Sequence, residues 1–187
     1  MGGVILSESK YWLEDGKYKT EYNYFFKPTS GINTSTKIKA GTIVETYAMR
    51  HLRGKYANII FMGTNGGYQS NKDLINQINA MIKYSRSNRY IVISQHVTNK
   101  VNNTIPKLMA MEDSLSLQYG KNYINLRSYL VERGLNDAGL KPTNEDLDSL
   151  SHGAVPPQLM EDGKHFTAKG YELIAKLVRE KLQELGY

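Results

Sequence analysis

The residue types best suited to chemistry stand near the end of the chain, in the segment Asp162-Gly-Lys-His165. A carboxylate three residues before an imidazole can lie beside it in a tight turn, where it selects the tautomer that leaves the second ring nitrogen free to act as a base. The same spacing also suits an ordinary solvated turn ahead of a helix. A metal would need more ligands than this pair supplies, and no cluster of His and Asp accompanies it in the sequence, so we expect no metal site.

Two other polar segments are candidates for the same site. In Gly63-Thr-Asn65-Gly66-Gly67, the Asn65 amide can donate a hydrogen bond to a developing oxyanion, while the glycines let a ligand approach the backbone. The simpler interpretation is a strand-to-helix turn in which the Asn adopts a left-handed conformation. A P-loop is excluded because no Gly-Lys-Ser/Thr follows. The second segment is Ser94-Gln-His96, whose imidazole either is structural or lines a pocket.

Alternating strands and helices must position these segments. Short apolar runs predict buried strands at 58–62, 90–94 and 123–126. Helical spacing of apolar residues predicts four helices. The first begins after Ser70, the second spans 105–119, a short third one ends near Gly134, and the last begins at about Thr167. This order predicts an α/β fold, specifically a three-layer α/β/α domain with a parallel sheet. Ligands bind at the carboxyl ends of such strands, which is where the candidate segments lie.

The first 46 residues differ in character and predict a small β-rich segment. Aromatic residues alternate with polar ones in the stretch 17–27, which indicates a half-buried strand; they are Tyr18, Tyr22, Tyr24 and Phe26. Further short strands are predicted at 4–6 and 42–44, with turns at 14–16 and 28–31. We therefore expect a β-rich segment at 1–46 and an α/β domain at 47–187.

Composition excludes several classes of protein. The 187 residues include no cysteine, which excludes disulfides, thiolate catalysis and Cys-based metal sites. The net charge of +6 is dispersed, so we expect no nucleic-acid partner. The apolar runs are too short for a membrane span, and the first residues lack the pattern of a signal peptide. The localisation stays open between the cytoplasm and export of a longer precursor.

Taken together, the polar segments resemble the GDSL or SGNH hydrolase family of esterases and lipases, over roughly Ala57 to Tyr187. Gly63-Thr-Asn65-Gly66 resembles the family's Gly-x-Asn-Asp block, and the segment from Asp162 to Tyr171 resembles its Asp-x-x-His block with the Gly-Tyr that starts the closing helix. The resemblance implies an SGNH or flavodoxin-like fold and cofactor-free hydrolysis of acyl or acetyl esters, including esters on carbohydrate. It further implies that His165 is the general base, that Asp162 orients it and that Asn65 contributes to the oxyanion hole. Gly63, Gly66 and His96 are then the expected substrate-binding residues.

The sequence departs from that family in its front part. The Gly-Asp-Ser block that carries the nucleophile is absent, as is the block with an oxyanion glycine, and the residue after Asn65 is Gly rather than Asp. Ser7 is the nearest substitute, but no sharp glycine-flanked turn surrounds it. We therefore expect the chain to correspond to the C-terminal part of such a hydrolase and to be nearly inactive alone. The serine would come from a missing segment, a second polypeptide or a neighbouring protomer.

Two further expectations follow. Loss of the strand that carries the nucleophile predicts an exposed sheet edge, and with it either oligomerisation or replacement by an N-terminal strand. The alternative function is a catalytically inactive binding or structural module, in which the tyrosine-rich N-terminal region recognises carbohydrate through aromatic faces.

Overall fold

A β-hairpin forms the N-terminal part of the computed structural model, which describes residues 3–14, 17–28, 45, 50–51, 53–94, 96 and 104–187. Strand β1 (Gly3–Glu14) pairs antiparallel with β2 (Lys17–Pro28), with Glu14 opposite Lys17. In sequence the strands are separated by Asp15 and Gly16, a pair that favours tight hairpins. The strand predicted at 17–27 is therefore present, whereas the strand predicted at 4–6 is much longer. The predictions for 29–31 and 42–44 lie outside the described residues.

The chain divides into two compact units, Met1–Val44 and Glu45–Tyr187. The second unit contains a parallel sheet of three strands in the order β3-β4-β5, and these strands are β3 (Asn58–Phe61), β4 (Tyr90–Ile93) and β5 (Tyr123–Ile124). The register places Ile60 beside Val92, and Val92 beside Tyr123. The predicted α/β fold with a parallel sheet is confirmed.

Helices alternate with these strands. Their bounds are α1 (Asn71–Ser85), α2 (Thr104–Tyr119), α3 (Leu126–Tyr129), α4 (Leu135–Asp137), α5 (Asn144–Ser151) and α6 (Ala168–Glu184). A π-helical turn at Leu130–Gly134 joins α3 to α4, and single 3-10 turns lie at Gly120–Asn122 and Pro157–Leu159. Ser70 caps α1 as predicted, because its side chain accepts a hydrogen bond from the backbone N–H of Asp73 at 3.1 Å. None of the helices in the described part of the chain is long and apolar enough to cross a bilayer.

One local prediction was wrong and one helix was not predicted, each for an identifiable reason. The strand expected at 123–126 ends at Ile124, because the Asn125 side chain accepts a hydrogen bond from Ser128 N at 3.1 Å and starts α3. Helix α5 was not predicted, because its sequence is almost entirely polar. It begins with a reciprocal capping box between Thr143 and Asp146, whose side chains each bond to the other residue's backbone N–H.

Strand β4 is buried on both faces, as expected for the central strand of a parallel sheet. Ile91 and Ile93 belong to one apolar cluster, which includes Leu173 of α6. Val92 belongs to a second cluster, which includes Leu74 of α1 and further residues of α2.

Strand β3 is covered on one face only. Asn58 and Ile60 are buried, whereas Ile59 is 51% exposed and Phe61 is 39% exposed. Their partners in register are Ile91 and Ile93, so the exposed pair continues the face that α6 covers farther along the sheet. Within the described residues β3 pairs with β4 alone. Its outer edge and half of its apolar surface therefore stay open there.

Candidate active site

The segment that carries Asp162 and His165 is a closed loop between the Pro157–Leu159 turn and α6, residues 160–167, which we call the dyad loop. Its base is tied by backbone bonds from Glu161 N to the carbonyl of His165 at 2.7 Å and from Thr167 N to the carbonyl of Leu159 at 3.0 Å. At its tip, Gly163 has a φ of +79°, a conformation that other residues rarely adopt. The local sequence therefore folds the chain back within a few residues and brings the carboxylate to the imidazole.

Asp162 organises this loop by accepting three hydrogen bonds. Its Oδ1 accepts from the backbone N–H of Lys164 at 3.0 Å and of His165 at 2.8 Å, and its Oδ2 accepts from His165 Nδ1 at 2.7 Å. These donors, the imidazole first, hold the pKa of the Asp162 carboxyl far below its usual range. Because the carboxylate can only accept, the proton of the neutral imidazole lies on Nδ1, which leaves Nε2 unprotonated. The structure thus joins the two predicted residues in the arrangement that a general base requires.

The Asp162–His165 pair is open to solvent. The side chain of His165 is 70% exposed and that of Asp162 is 53% exposed. Such exposure leaves the imidazole accessible to a substrate or to another polypeptide. It also leaves the pair in a high dielectric, where an ionic interaction is weaker than in a closed pocket.

His96 lies beneath this loop, with 6% of its surface exposed. Its Nε2 lies 2.7 Å from the carbonyl oxygen of Lys164, and since a carbonyl only accepts, Nε2 is the donor. Its Nδ1 is buried and has no hydrogen-bond partner among the residues that the structure describes. Burial, followed by the proximity of His165, lowers the pKa of His96, against the raising effect of the bond to Lys164. The imidazole is therefore buried under the dyad loop, and its contact with a substrate stays a prediction.

Aromatic rings connect His96 to the end of β3 and to the start of α6. Its ring centroid lies 4.1 Å from that of Phe166 and 5.8 Å from that of Phe61. Phe61 is the last residue of β3, and the predicted Asn65 turn begins two residues later. The carboxyl ends of β3 and β4 and the dyad loop thus meet around His96, as the topology of a parallel sheet predicts.

The segment at Gly63–Gly67 is a tight turn with Asn65 exposed. The N–H of Gly66 bonds to the carbonyl of Gly63 at 2.9 Å. The positive φ angles in this segment belong to Gly63, Gly66 and Gly67, and not to Asn65. The interpretation of Asn65 as a left-handed turn residue is therefore wrong, and the glycines carry that conformation. The roles of Gly63 and Gly66 in substrate binding stay predictions.

Neither Ser94 nor Ser7 has the setting expected of a serine nucleophile. Ser94 follows β4 but is fully buried, and its Oγ accepts a hydrogen bond from Leu126 N at 2.8 Å. Ser7 lies within β1 and not in a strand-to-helix turn. Among the described residues there is also no group of three or more His, Asp or Glu side chains that could hold a metal ion.

A buried ion pair between α2 and α3 was not predicted from the sequence. Arg127 donates to the Glu112 carboxylate through Nε at 2.7 Å and through Nη2 at 2.5 Å. Its Nη1 donates to the carbonyl of Gly153 at 2.8 Å. Asn125 donates to the same carboxylate at 3.2 Å. The pair fastens α2 to the carboxyl end of β5 and to the chain that leads into the dyad loop. A glutamate inside an amphipathic helix gives no sequence signal for such a role.

Comparison of the chain with protein-family models, with curated proteins and with solved structures gave no match in any of the three.

Proposed function

We propose that the chain supplies the acid and base of an SGNH-type serine esterase, with the serine coming from a segment outside these 187 residues. The observation that carries the proposal is the 2.7 Å bond between His165 Nδ1 and Asp162 Oδ2, in a loop whose backbone also bonds to the same carboxylate. An ordinary solvated turn has no need for an imidazole held in one tautomer. A general base does, because its catalytic nitrogen must be unprotonated at the start of the reaction.

In this mechanism His165 Nε2 takes the proton of the serine hydroxyl as its oxygen attacks the ester carbonyl. The imidazolium that forms is stabilised by the Asp162 carboxylate, and the Asn65 amide donates a hydrogen bond to the tetrahedral oxyanion. His165 then gives the proton to the departing alkoxide, which leaves an acyl-serine. Water repeats the sequence and releases the acid. The substrates are acyl or acetyl esters, including esters on carbohydrate, and this chemistry requires no cofactor.

We also propose that the second unit is a three-layer α/β/α domain whose serine-bearing strand joins the outer edge of β3. The two apolar clusters on opposite faces of β4 support the layers. The unpaired outer edge of β3 within the described residues supports the position of the added strand, since its backbone N–H and C=O groups there can pair with a parallel neighbour. A parallel strand beside β3 would end next to the Gly63–Gly67 turn, on the side of the sheet where His96 meets the dyad loop.

The test compares the chain with a longer polypeptide that includes the reading frame preceding Met1. The longer protein is expected to contain a Gly-Asp-Ser segment and to hydrolyse p-nitrophenyl acetate. The 187-residue chain is expected to be slower than the longer protein by about 10⁶, because it lacks the serine nucleophile. In the longer protein His165→Ala should abolish turnover.

The matched control is His152→Ala. His152 is also exposed and also lies beside a carboxylate, at 3.7 Å from Asp148, but it stands on the far end of α5 and outside the dyad loop. Turnover that survives His165→Ala, or that falls equally in His152→Ala, would contradict the proposed roles. Absence of turnover in the longer protein, with glycan binding that persists after loss of Asp162 and His165, would favour the inactive binding module instead.

A further inference from the structure

We propose that His96 is a positioning residue, which holds the dyad loop so that Asp162 and His165 keep their hydrogen bond. The importance of His96 for catalysis rests on the proposed function, whereas its effect on the Asp162–His165 hydrogen bond can be measured in this chain alone. In this proposal His96 acts through the backbone of Lys164, to whose carbonyl it donates a hydrogen bond.

One peptide group in the loop connects His96 to Asp162. The carbonyl of Lys164 accepts a hydrogen bond from His96 Nε2 at 2.7 Å. The N–H at the other end of the same peptide belongs to His165, and it donates to Asp162 Oδ1 at 2.8 Å. Because a peptide group is planar and trans, its carbonyl and N–H point in opposite directions. His96 and Asp162 therefore bond to opposite edges of one planar peptide group. Because that group is rigid, the His96 bond sets the direction in which the His165 N–H points.

The dyad loop needs a restraint from outside itself. The dyad side chains are largely exposed and sit on a short loop, so packing against them supplies little restraint. His96, in contrast, is buried and packs against the rings of Phe61 and Phe166, three residues after the central strand β4 ends at Ile93. The bond to Lys164 thus ties an exposed loop to a buried side chain at the carboxyl end of the sheet.

The hydrogen bond to Lys164 also accounts for a histidine at this buried position. Packing between two phenylalanine rings would be served equally by an apolar side chain. A histidine there leaves Nδ1 buried without a partner among the described residues, which is unfavourable. The bond from Nε2 to Lys164 is the feature that an apolar side chain could not provide, and it explains the choice of residue.

Two amide variants test this with matched chemistry. The amide nitrogen of Gln stands at about the position of Nε2 and that of Asn at about the position of Nδ1, so His96→Gln keeps a donor for Lys164 and His96→Asn does not. His96→Phe is the packing control, since it fills the apolar space without any donor. A dispersed backbone ¹H–¹⁵N spectrum verifies that each variant is folded.

The readout is the tautomer of His165, measured by long-range ¹H–¹⁵N correlation in chain labelled at its four histidines, with His165→Ala for assignment. The wild type and His96→Gln are expected to show the Nδ1–H tautomer as the dominant form. His96→Asn and His96→Phe are expected to lose that dominance and to show the mixture typical of an exposed imidazole. In the longer polypeptide that contains the serine, called the completed enzyme below, these two variants should lower kcat about 10²-fold with KM nearly unchanged. Small misplacements of a catalytic group have effects of this size.

Two results would overturn the proposal: a folded Asn or Phe variant in which the Nδ1–H tautomer stays dominant, or a folded Gln variant in which it is lost. The tautomer needs neither serine nor substrate. If the His165 tautomer changes in the Asn and Phe variants while the longer polypeptide hydrolyses no ester, the positioning role stands and the proposed function fails. If the longer polypeptide is active and the tautomer is the same in all His96 variants, the proposed function stands and the positioning role fails.

Discussion

Gly170 makes the closest backbone approach next to the dyad loop, and its replacement by alanine gives a prediction in which two effects oppose each other. A Cβ at this position would lie 2.6 Å from the carbonyl oxygen of Leu159 and 2.9 Å from Cβ of Phe166. That same carbonyl accepts the backbone bond from Thr167 N at 3.0 Å, which closes the loop. Neither obstacle is the end of a flexible side chain, so the backbone itself must shift.

The magnitude follows from comparing the two effects. Overpacking of this kind costs about 1–3 kcal/mol, whereas alanine in place of glycine within a helix stabilises by about 0.5–1 kcal/mol. Gly170 lies in the first turn of α6, so the second effect offsets part of the first. The difference spans about 0–2.5 kcal/mol, and we expect Gly170→Ala to lower the free energy of unfolding by about 1 kcal/mol. With a slope of about 2 kcal/mol per molar urea, the midpoint should fall by about 0.5 M at unchanged slope.

The assay is equilibrium urea unfolding followed by far-ultraviolet circular dichroism. Lys169→Ala is the control, because it lies one residue earlier in the same turn and loses only an exposed pair with Glu172 at 2.9 Å. Its effect should stay within about 0.5 kcal/mol. If Gly170→Ala is as stable as the wild type, or more stable, helix propensity prevails and the close approach does not explain the glycine.

Three further perturbations have definite expected results. Asp162→Asn replaces the carboxylate that accepts the His165 Nδ1 proton by an amide. The imidazole should shift to the Nε2–H tautomer in the long-range ¹H–¹⁵N spectrum, and kcat of the completed enzyme should fall about 10⁴-fold. Glu112→Gln should leave the Arg127 charge buried without its counterion and destabilise the chain by about 3–5 kcal/mol in urea unfolding. Because burial lowers the pKa of His96 in the folded chain from its ordinary value of 6.5, the unfolded chain binds the proton more readily. Stability should therefore fall as the pH decreases below about 6.5, and His96→Gln should reduce that slope in urea titrations between pH 5 and pH 7.

A matched control or a contradicting result exists for each of these three variants. For Asp162→Asn the control is Asp148→Asn, which alters another exposed His–Asp pair and should leave the His165 tautomer and the activity unchanged. Glu172→Gln breaks an exposed pair and should have little effect on stability, in contrast to Glu112→Gln. An equal loss in Glu172→Gln would contradict the argument from burial, and a His96→Gln variant with the wild-type pH slope would show that another group carries it. The effect of Asp162 is separate, because its stabilising contribution is lost only as the pH falls below the ordinary carboxyl value of 3.8.

Much of the fold was predictable from the sequence wherever the decisive interactions are local. The spacing of apolar residues after Ser70 predicted α1, and the alternation of strands with helices predicted the parallel sheet. Errors arose where one polar side chain redirected the backbone. Asn125 ended β5 early, and Thr143 with Asp146 started a helix whose polar sequence gave no periodic signal.

The Asp162–His165 pair was visible in the sequence for the same reason. All its hydrogen bonds, and those that close its loop, join residues between Leu159 and Thr167, so a short stretch of chain contains the whole arrangement. The tertiary structure alone decided what holds that loop in place. The His96 bond to Lys164 spans 68 residues and the Glu112–Arg127 pair joins two different elements. Such contacts depend on how the sheet and helices pack, because no local propensity selects a partner that the chain meets only after folding.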